Sequence, residues 1–243
     1  MYLASRLLAA FLAVAPLGVP SASAEARGLS SEAQAQRYAA VGRLNLGGQG
    51  HCTATLIAPD LALTAAHCLV NPRTGAIWRA ERLTFLPGWR MGEAAAVLRG
   101  RAAAMVEGFL DMPGPSEDLA LIRVTERAEG APSPIPVAGT ASPGTVVSAL
   151  SYGRDRGEAL SVQSGCAVVA RQGRLLRTTC DALPGISGAP LIQEGVDGPE
   201  LVGVIVAAMG AEAPALQGAA LAVAPADLLP ALRRRLDAQE AAR

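Results

Sequence analysis

CDALPGISGAP, residues 180–190, is the stretch that decides how this chain is read. Ser187 stands there with Gly185 two residues before it and Gly188 directly after. Glycine, proline and serine are ordinary turn residues, so the stretch reads as a turn between strands or as a loop presenting a nucleophile. A serine hydroxyl attacks well only when a base takes its proton. The choice therefore rests on whether the rest of the chain supplies a base, an orienting carboxylate and an oxyanion site.

The composition narrows the possibilities. The chain has 243 residues, 51% of them apolar but only 3% aromatic, so its core must be built from Ala, Val, Leu and Ile. There are 21 basic and 21 acidic residues, and this balance gives no electrostatic case for a nucleic-acid partner. Every basic residue is Arg, which excludes Schiff-base chemistry and a Ser–Lys dyad. Residues 1–24 read as a signal peptide: Arg6 supplies a positive start, Leu7 to Val19 is apolar, and Ala22-Ser23-Ala24 fits cleavage before Glu25. Pro16 and Gly18 interrupt that run, which is shorter than the ~20 residues a membrane span needs. The expectation is a secreted or periplasmic protein with no integral membrane segment after cleavage. Residues 25–39 are polar and Ala/Gln-rich, and read as a loose lead or a short propeptide.

Export makes the four cysteines interpretable as two disulfides. Pairing in sequence, Cys52–Cys68 and Cys166–Cys180, is the simplest of three connectivities. A metal is the rival reading, because His51-Cys52 and His67-Cys68 form a double pair. The close Cys-x-x-Cys or His-x-x-x-His spacing of zinc sites is missing, so neither metal nor cofactor is expected. Short apolar runs punctuated by Gly and Pro predict strands at 41–46, 53–58, 61–64 and 118–124. A second set falls at 145–152, 165–171, 174–179, 189–193, 201–207 and 218–223. Residues 94–107 read as one or two strands or as a helix, and 129–136 as a connection between halves. Leu228, Leu229, Leu232 and Leu236 have near-helical spacing and predict a helix over 227–241, with Arg233 to Arg235 on its solvated face.

Only two histidines exist, and His67 lies in Leu63-Thr64-Ala65-Ala66-His67-Cys68. This stretch resembles the histidine motif of chymotrypsin-like serine proteases. Cys52 matches the cysteine that bridges to it in that family. Asp118-Leu119-Ala120-Leu121-Ile122 resembles the aspartate motif, and Gly185-Ile186-Ser187-Gly188-Ala189-Pro190 the serine motif, in the family's order. The resemblance covers roughly residues 40–240. It implies His67 as general base, Asp118 as the carboxylate that fixes its tautomer, and Ser187 as nucleophile. It also implies an oxyanion hole from the amides of Gly185 and Ser187. Asp118 is preferred to Asp111, Glu117 and Asp155 because it directly precedes an apolar strand. An α/β-hydrolase needs a histidine after its serine, and none follows position 67.

The implied fold is all-β: two packed six-stranded antiparallel barrels, about 40–130 and 136–225, with a C-terminal helix. The implied activity is that of an exported serine endopeptidase, monomeric, cleaving peptides or proteins through an acyl-enzyme. The alternative is a catalytically inactive binding module on the same fold. Ile186 stands where the family's zymogen switch carries an aspartate, and Cys-Asp-x-x-x-Gly-x-Ser-Gly-x-Pro resembles the glutamyl-endopeptidase-like branch. Asp181, six residues before Ser187, sits at the offset of the pocket-floor aspartate of trypsin-like enzymes. Together with Ala182, Val206, Ala207 and Ala208 it is the expected specificity pocket. The 203–208 strand has no histidine to receive a glutamate, so basic, acidic and small apolar preferences stay open.

Overall fold

The computed structural model describes residues 27–125, 130–139, 141–210 and 218–242. The expected signal peptide at 1–24 lies outside them. In chain order the strands are β1 (Gly28–Leu29), β2 (Val41–Leu46), β3 (His51–Ala58), β4 (Leu61–Thr64), β5 (Leu83–Pro87), β6 (Leu98–Met105) and β7 (Ala120–Val124). They continue with β8 (Val146–Ser151), β9 (Ser161–Gln172), β10 (Leu175–Asp181), β11 (Pro190–Gly195), β12 (Gly198–Ala208) and β13 (Ala219–Val223). Among the described residues there are two α-helices, α1 (Glu32–Arg37) and α2 (Leu229–Ala241).

Strands β2 to β7 close into one antiparallel barrel in the order β2-β3-β4-β7-β6-β5. β6 shows why the sequence chooses strand over helix. Leu98, Gly100, Ala102 and Ala104 are buried, whereas Arg99 and Arg101 are exposed. That two-residue period is the signature of a strand with one wet face. Leu44, Leu56, Leu63, Leu83 and Phe85 fill the interior with no exposure. Strands β8 to β13 form the second barrel, closed because β8 pairs with both β11 and β9. Its interior uses smaller side chains, among them Val147, Ala149, Val168, Ala220 and Ala222, with Cys166 and Cys180 wholly buried between them.

The barrels meet along β3. Residues 130–139 cross between them, with the Ile135 amide on the Leu56 carbonyl and the Ala138 amide on the Leu201 carbonyl, each at 2.9 Å. Helix α2 docks on β6 and β7 of the first barrel, burying Leu232 and Leu236. Arg123 of β7 clamps it, reaching Asp237 at 2.7 Å and Glu240 at 2.9 Å while also holding Asp60 at 2.6 Å. Among the described residues no helix is long and apolar enough to cross a membrane.

The N-terminal lead differs from its expectation as a loose segment. β1 adds a short outer strand to β9 of the second barrel, pairing Gly28 with Val162 and Leu29 with Ser161. The Ser31 side chain caps α1, accepting from the Gln34 amide at 3.2 Å, and the Gln34 side chain accepts from the Ser31 amide at 2.9 Å. Ser31-x-x-Gln34 is a capping box, a signal outweighed in the sequence by the polar composition around it. Tyr38 then buries its ring and donates its hydroxyl to Glu194 at 3.0 Å.

Leu236→Ala should lower the unfolding free energy by about 2–5 kcal/mol, the range for emptying a buried leucine site, seen as a lower urea midpoint. An unchanged midpoint would mean that α2 is not part of the cooperative unit.

Candidate active site

The pairing of β4 with β7 decides where the imidazole and the carboxylate meet. Thr64, the last residue of β4, lies opposite Ala120, the first of β7. His67 follows Thr64 in a 3-10 turn (Ala66–Leu69), and Asp118 precedes Ala120, so both emerge at the same end of neighbouring strands. Asp118 is buried. It accepts two hydrogen bonds from His67, from the backbone amide at 2.8 Å and from ring Nδ1 at 2.7 Å. Holding the proton on Nδ1 leaves Nε2 with a free lone pair. Asp118 is the ring's sole hydrogen-bond partner among the described residues.

Ser187 arrives from the second barrel. Its carbonyl accepts from the Thr53 amide of β3 at 2.9 Å, and the Gly188 amide donates to the Ile205 carbonyl at 2.8 Å. Gly188 has φ +79°, and a Cβ there would stand 2.1 Å from the Thr53 carbonyl oxygen and 2.3 Å from Thr64 Oγ1. Only glycine lets the serine loop approach β3 and β4 this closely. Gly185 has φ +91°, and a Cβ on it would lie 2.5 Å from the Arg154 amide nitrogen. Between the two glycines the Ile186 amide is spent on the Leu183 carbonyl at 3.3 Å. The amides of Gly185 and Ser187 have no acceptor among the described residues. Two unspent N–H groups one residue apart are a ready receptor for an anionic oxygen.

His67, Ser187 and Gly185 line one cleft of about 370 Å³, together with Trp78, Arg154 and the Cys52–Cys68 pair. No hydrogen bond joins Ser187 Oγ to His67 in the structure. Such bonds are commonly long until substrate arrives. Gly185 and Ser187 also line a second cavity of about 270 Å³, walled by Ala182, Leu183, Pro184, Ile205, Val206, Ala207 and Ala208. The two free amides thus sit on the ridge between two recesses.

Comparison with known proteins matches the family model of the trypsin-like peptidase domain to residues 52–204. That span is more than half of the chain. The chain belongs to the trypsin-like peptidase family. Among solved structures it is similar to a glutamyl endopeptidase crystallised with MPD, at 20% identity and TM-score 0.69, covering 82% of this chain and 89% of that one. It is also similar to the thermostable serine protease AL20 from an extremophilic microorganism, at 18% identity and TM-score 0.60, covering 77% and 91%. A third likeness is to the protease Anisep from Arthrobacter nicotinovorans, at 17% identity and TM-score 0.63, covering 78% and 91%. No curated protein matches the chain by sequence. The likenesses establish the chymotrypsin-like two-barrel fold.

This trypsin-like peptidase keeps both disulfides in the order the sequence favours. Cys52–Cys68 ties β3 to the turn bearing His67, and Cys166–Cys180 ties β9 to β10. Cys52, His67 and Cys68 bring possible ligand atoms within 4.8 Å of one another, but both sulfurs are bonded to each other and are not thiolates. The cavity beside Ser187 is lined by Ala182, Val206, Ala207 and Ala208 among others; Asp181 is not among its lining residues. It ends β10 exposed, held by Gln163, whose side-chain amide donates to its carboxylate at 3.0 Å and accepts from its backbone at 2.8 Å. Its carboxylate is engaged by Gln163 of β9, and every side chain named above as lining the cavity is apolar or absent apart from Ser187. Arg154, Thr53 and Thr64 are supports that sequence reading missed, since nothing local marks a residue packed against a distant turn.

His51 lies beside this machinery, its ring Nε2 donating to the Tyr152 carbonyl at 3.0 Å. Burial, with Arg43 nearby, pushes its pKa below the ordinary imidazole value. The unfolded chain therefore takes up a proton near pH ~6.5 that the folded chain refuses. Stability should fall as pH drops below ~6.5 and level off below the folded value. Urea midpoints across pH 5–8 test this, and His51→Gln should flatten that part of the profile. Gly188→Ala should break the seam between the barrels. It is expected to lower the urea midpoint and abolish reaction with a fluorophosphonate; normal stability with full reactivity would contradict the contact.

Proposed function

We propose that this protein is an exported serine endopeptidase in which His67, Asp118 and Ser187 act as a catalytic triad. The observation that supports it most is the Asp118–His67 pair facing, across one cleft, a serine whose own amide and that of Gly185 are both unspent. Ser187 Oγ attacks the scissile carbonyl while His67 Nε2 takes its proton. Asp118 stabilises the imidazolium through Nδ1. The negative oxygen of the tetrahedral intermediate lies on the amides of Gly185 and Ser187, each such donor contributing about 2.7–4 kcal/mol. His67 then returns the proton to the leaving amine, and water hydrolyses the acyl-enzyme by the same steps in reverse.

The cavity beside Ser187 would receive the side chain that precedes the scissile bond. Its walls are aliphatic, so a small or medium apolar residue fits without leaving a buried charge unpaired. Asp181 lies outside those walls, which argues against attraction of Arg or Lys. Two disulfides agree with an oxidising compartment.

A fluorophosphonate should label the wild type and not Ser187→Ala, whose kcat should fall by about 10⁶-fold. Asp118→Asn should cost about 10⁴-fold. In a peptide library the wild type should cut after apolar residues, with Asp181→Ala showing the same preference. Absence of labelling in the wild type would favour the inactive binding module.

A further inference from the structure

Arg27 belongs to the lead ahead of the first barrel, yet β1 fastens it to the second barrel. Its side chain is only 6% exposed. The guanidinium bonds Asp155 Oδ2, while the Arg27 carbonyl accepts from Arg156 Nη1 at 2.7 Å. Nε and Nη1 are buried with no hydrogen-bond partner among the described residues. A half-exposed carboxylate is weak compensation for burying a guanidinium, and buried ion pairs are in any case poor stabilisers. The position of this pair is more informative than its strength.

The pair sits behind the oxyanion turn. A Cβ on Gly153 would lie 2.7 Å from Asp155 Oδ1, 2.9 Å from Arg27 Nη1 and 3.4 Å from Ile186 Cγ2, so these three groups gather over its backbone. Ile186 is the residue between the two free amides. The Arg154 amide donates to the Pro184 carbonyl at 3.0 Å, and the Arg154 backbone closes on Gly185. The 153–156 turn thus bonds to residue 184, packs on residue 185 and faces Ile186 over Gly153. Ile186 is apolar and buried, so no charge at that place can brace the turn from within.

We propose that Arg27 is a positioning residue for the oxyanion hole: its guanidinium, through Asp155, holds the 153–156 turn against Pro184, Gly185 and Ile186. The inference rests on the serine-protease reading above. It makes the lead part of the working enzyme instead of a discarded propeptide, and any cut between residues 27 and 38 becomes an inactivating one. The Arg27 guanidinium also holds the Asp155 carboxyl below its ordinary pKa, in keeping with a persistent contact.

The test uses the full exported chain with Arg27→Met, Asp155→Asn and the double variant. Each single change should lower kcat about 10–100-fold with KM within about two-fold, because a displaced donor is lost in the transition state alone. Affinity for a peptidyl trifluoromethyl ketone, whose adduct places an oxyanion on these amides, should fall by the same factor. The double variant should lose no more than the worse single, and Arg27→Lys should recover part of kcat. Should Arg27→Met not fold, Asp155→Asn at its half-exposed site carries the comparison. Unchanged kcat in the singles, losses that multiply in the double, or a kcat loss fully explained by fewer titratable active sites would each overturn the proposal. A wild type that neither labels nor turns over would instead sink the protease reading itself.

Discussion

The hydrogen bond from the Thr53 amide to the Ser187 carbonyl crosses from one barrel to the other, and the site hangs on it. It sits in a buried polar knot. Thr64 Oγ1 donates to the Thr53 carbonyl at 2.8 Å, and Thr53 Oγ1 accepts from the Tyr152 amide at 2.9 Å. Thr53 and Thr64 have no exposure. In so dry a setting each bond is strong, and a missing partner would be costly. The knot therefore permits little variation in where the serine loop lies. Thr64 is also three residues before His67, so the strand that steadies the serine loop leads directly into the turn carrying the imidazole. Gly188 makes the arrangement possible by having no side chain to place between the loop and the strands.

Around this seam the packing follows from the composition. With few aromatics available, leucines fill the first barrel and Ala and Val fill much of the second. Small side chains bury little apolar area each, and burial contributes about 25 cal/mol per Å². The disulfides compensate in a different way. Each closes a loop of about fifteen residues, and in the chain-entropy account this removes about 3 kcal/mol of freedom from the unfolded chain. One of them also anchors the His67 turn to β3, adjoining the seam.

Much of the site is legible in the sequence because its chemistry depends on rare residue types. Two histidines leave few candidates for a base, and the glycines beside Ser187 announce a backbone that side chains would block. Asp118 is legible because a carboxylate directly before an apolar strand must lie at a strand start. The offset from Ser187 pointed to Asp181 as a pocket residue, yet Asp181 is not among the residues lining the cavity. A count of residues cannot tell which partner a side chain takes across the sheet, and the Asp181 carboxylate takes Gln163. The lead was misread as loose because α1 has only 6 residues and β1 only 2, too few for periodicity to show, although the Ser31–Gln34 capping box was present.

The sequence by itself determined the inventory: an all-β chain in two halves, two cysteine pairs close along the chain, and the residues able to act as base, carboxylate and nucleophile. These follow from local rules, since strand period, turn chemistry and the scarcity of histidine operate over a few residues. The tertiary structure alone decided which amides were left unspent, that the cavity beside Ser187 is aliphatic, and that Arg27 reaches Asp155 beside the turn that packs on Gly185. Each of these depends on contacts between segments far apart in the chain. Arg27 and Asp155 are separated by 128 residues, and only strand pairing in the second barrel brings such distant groups together.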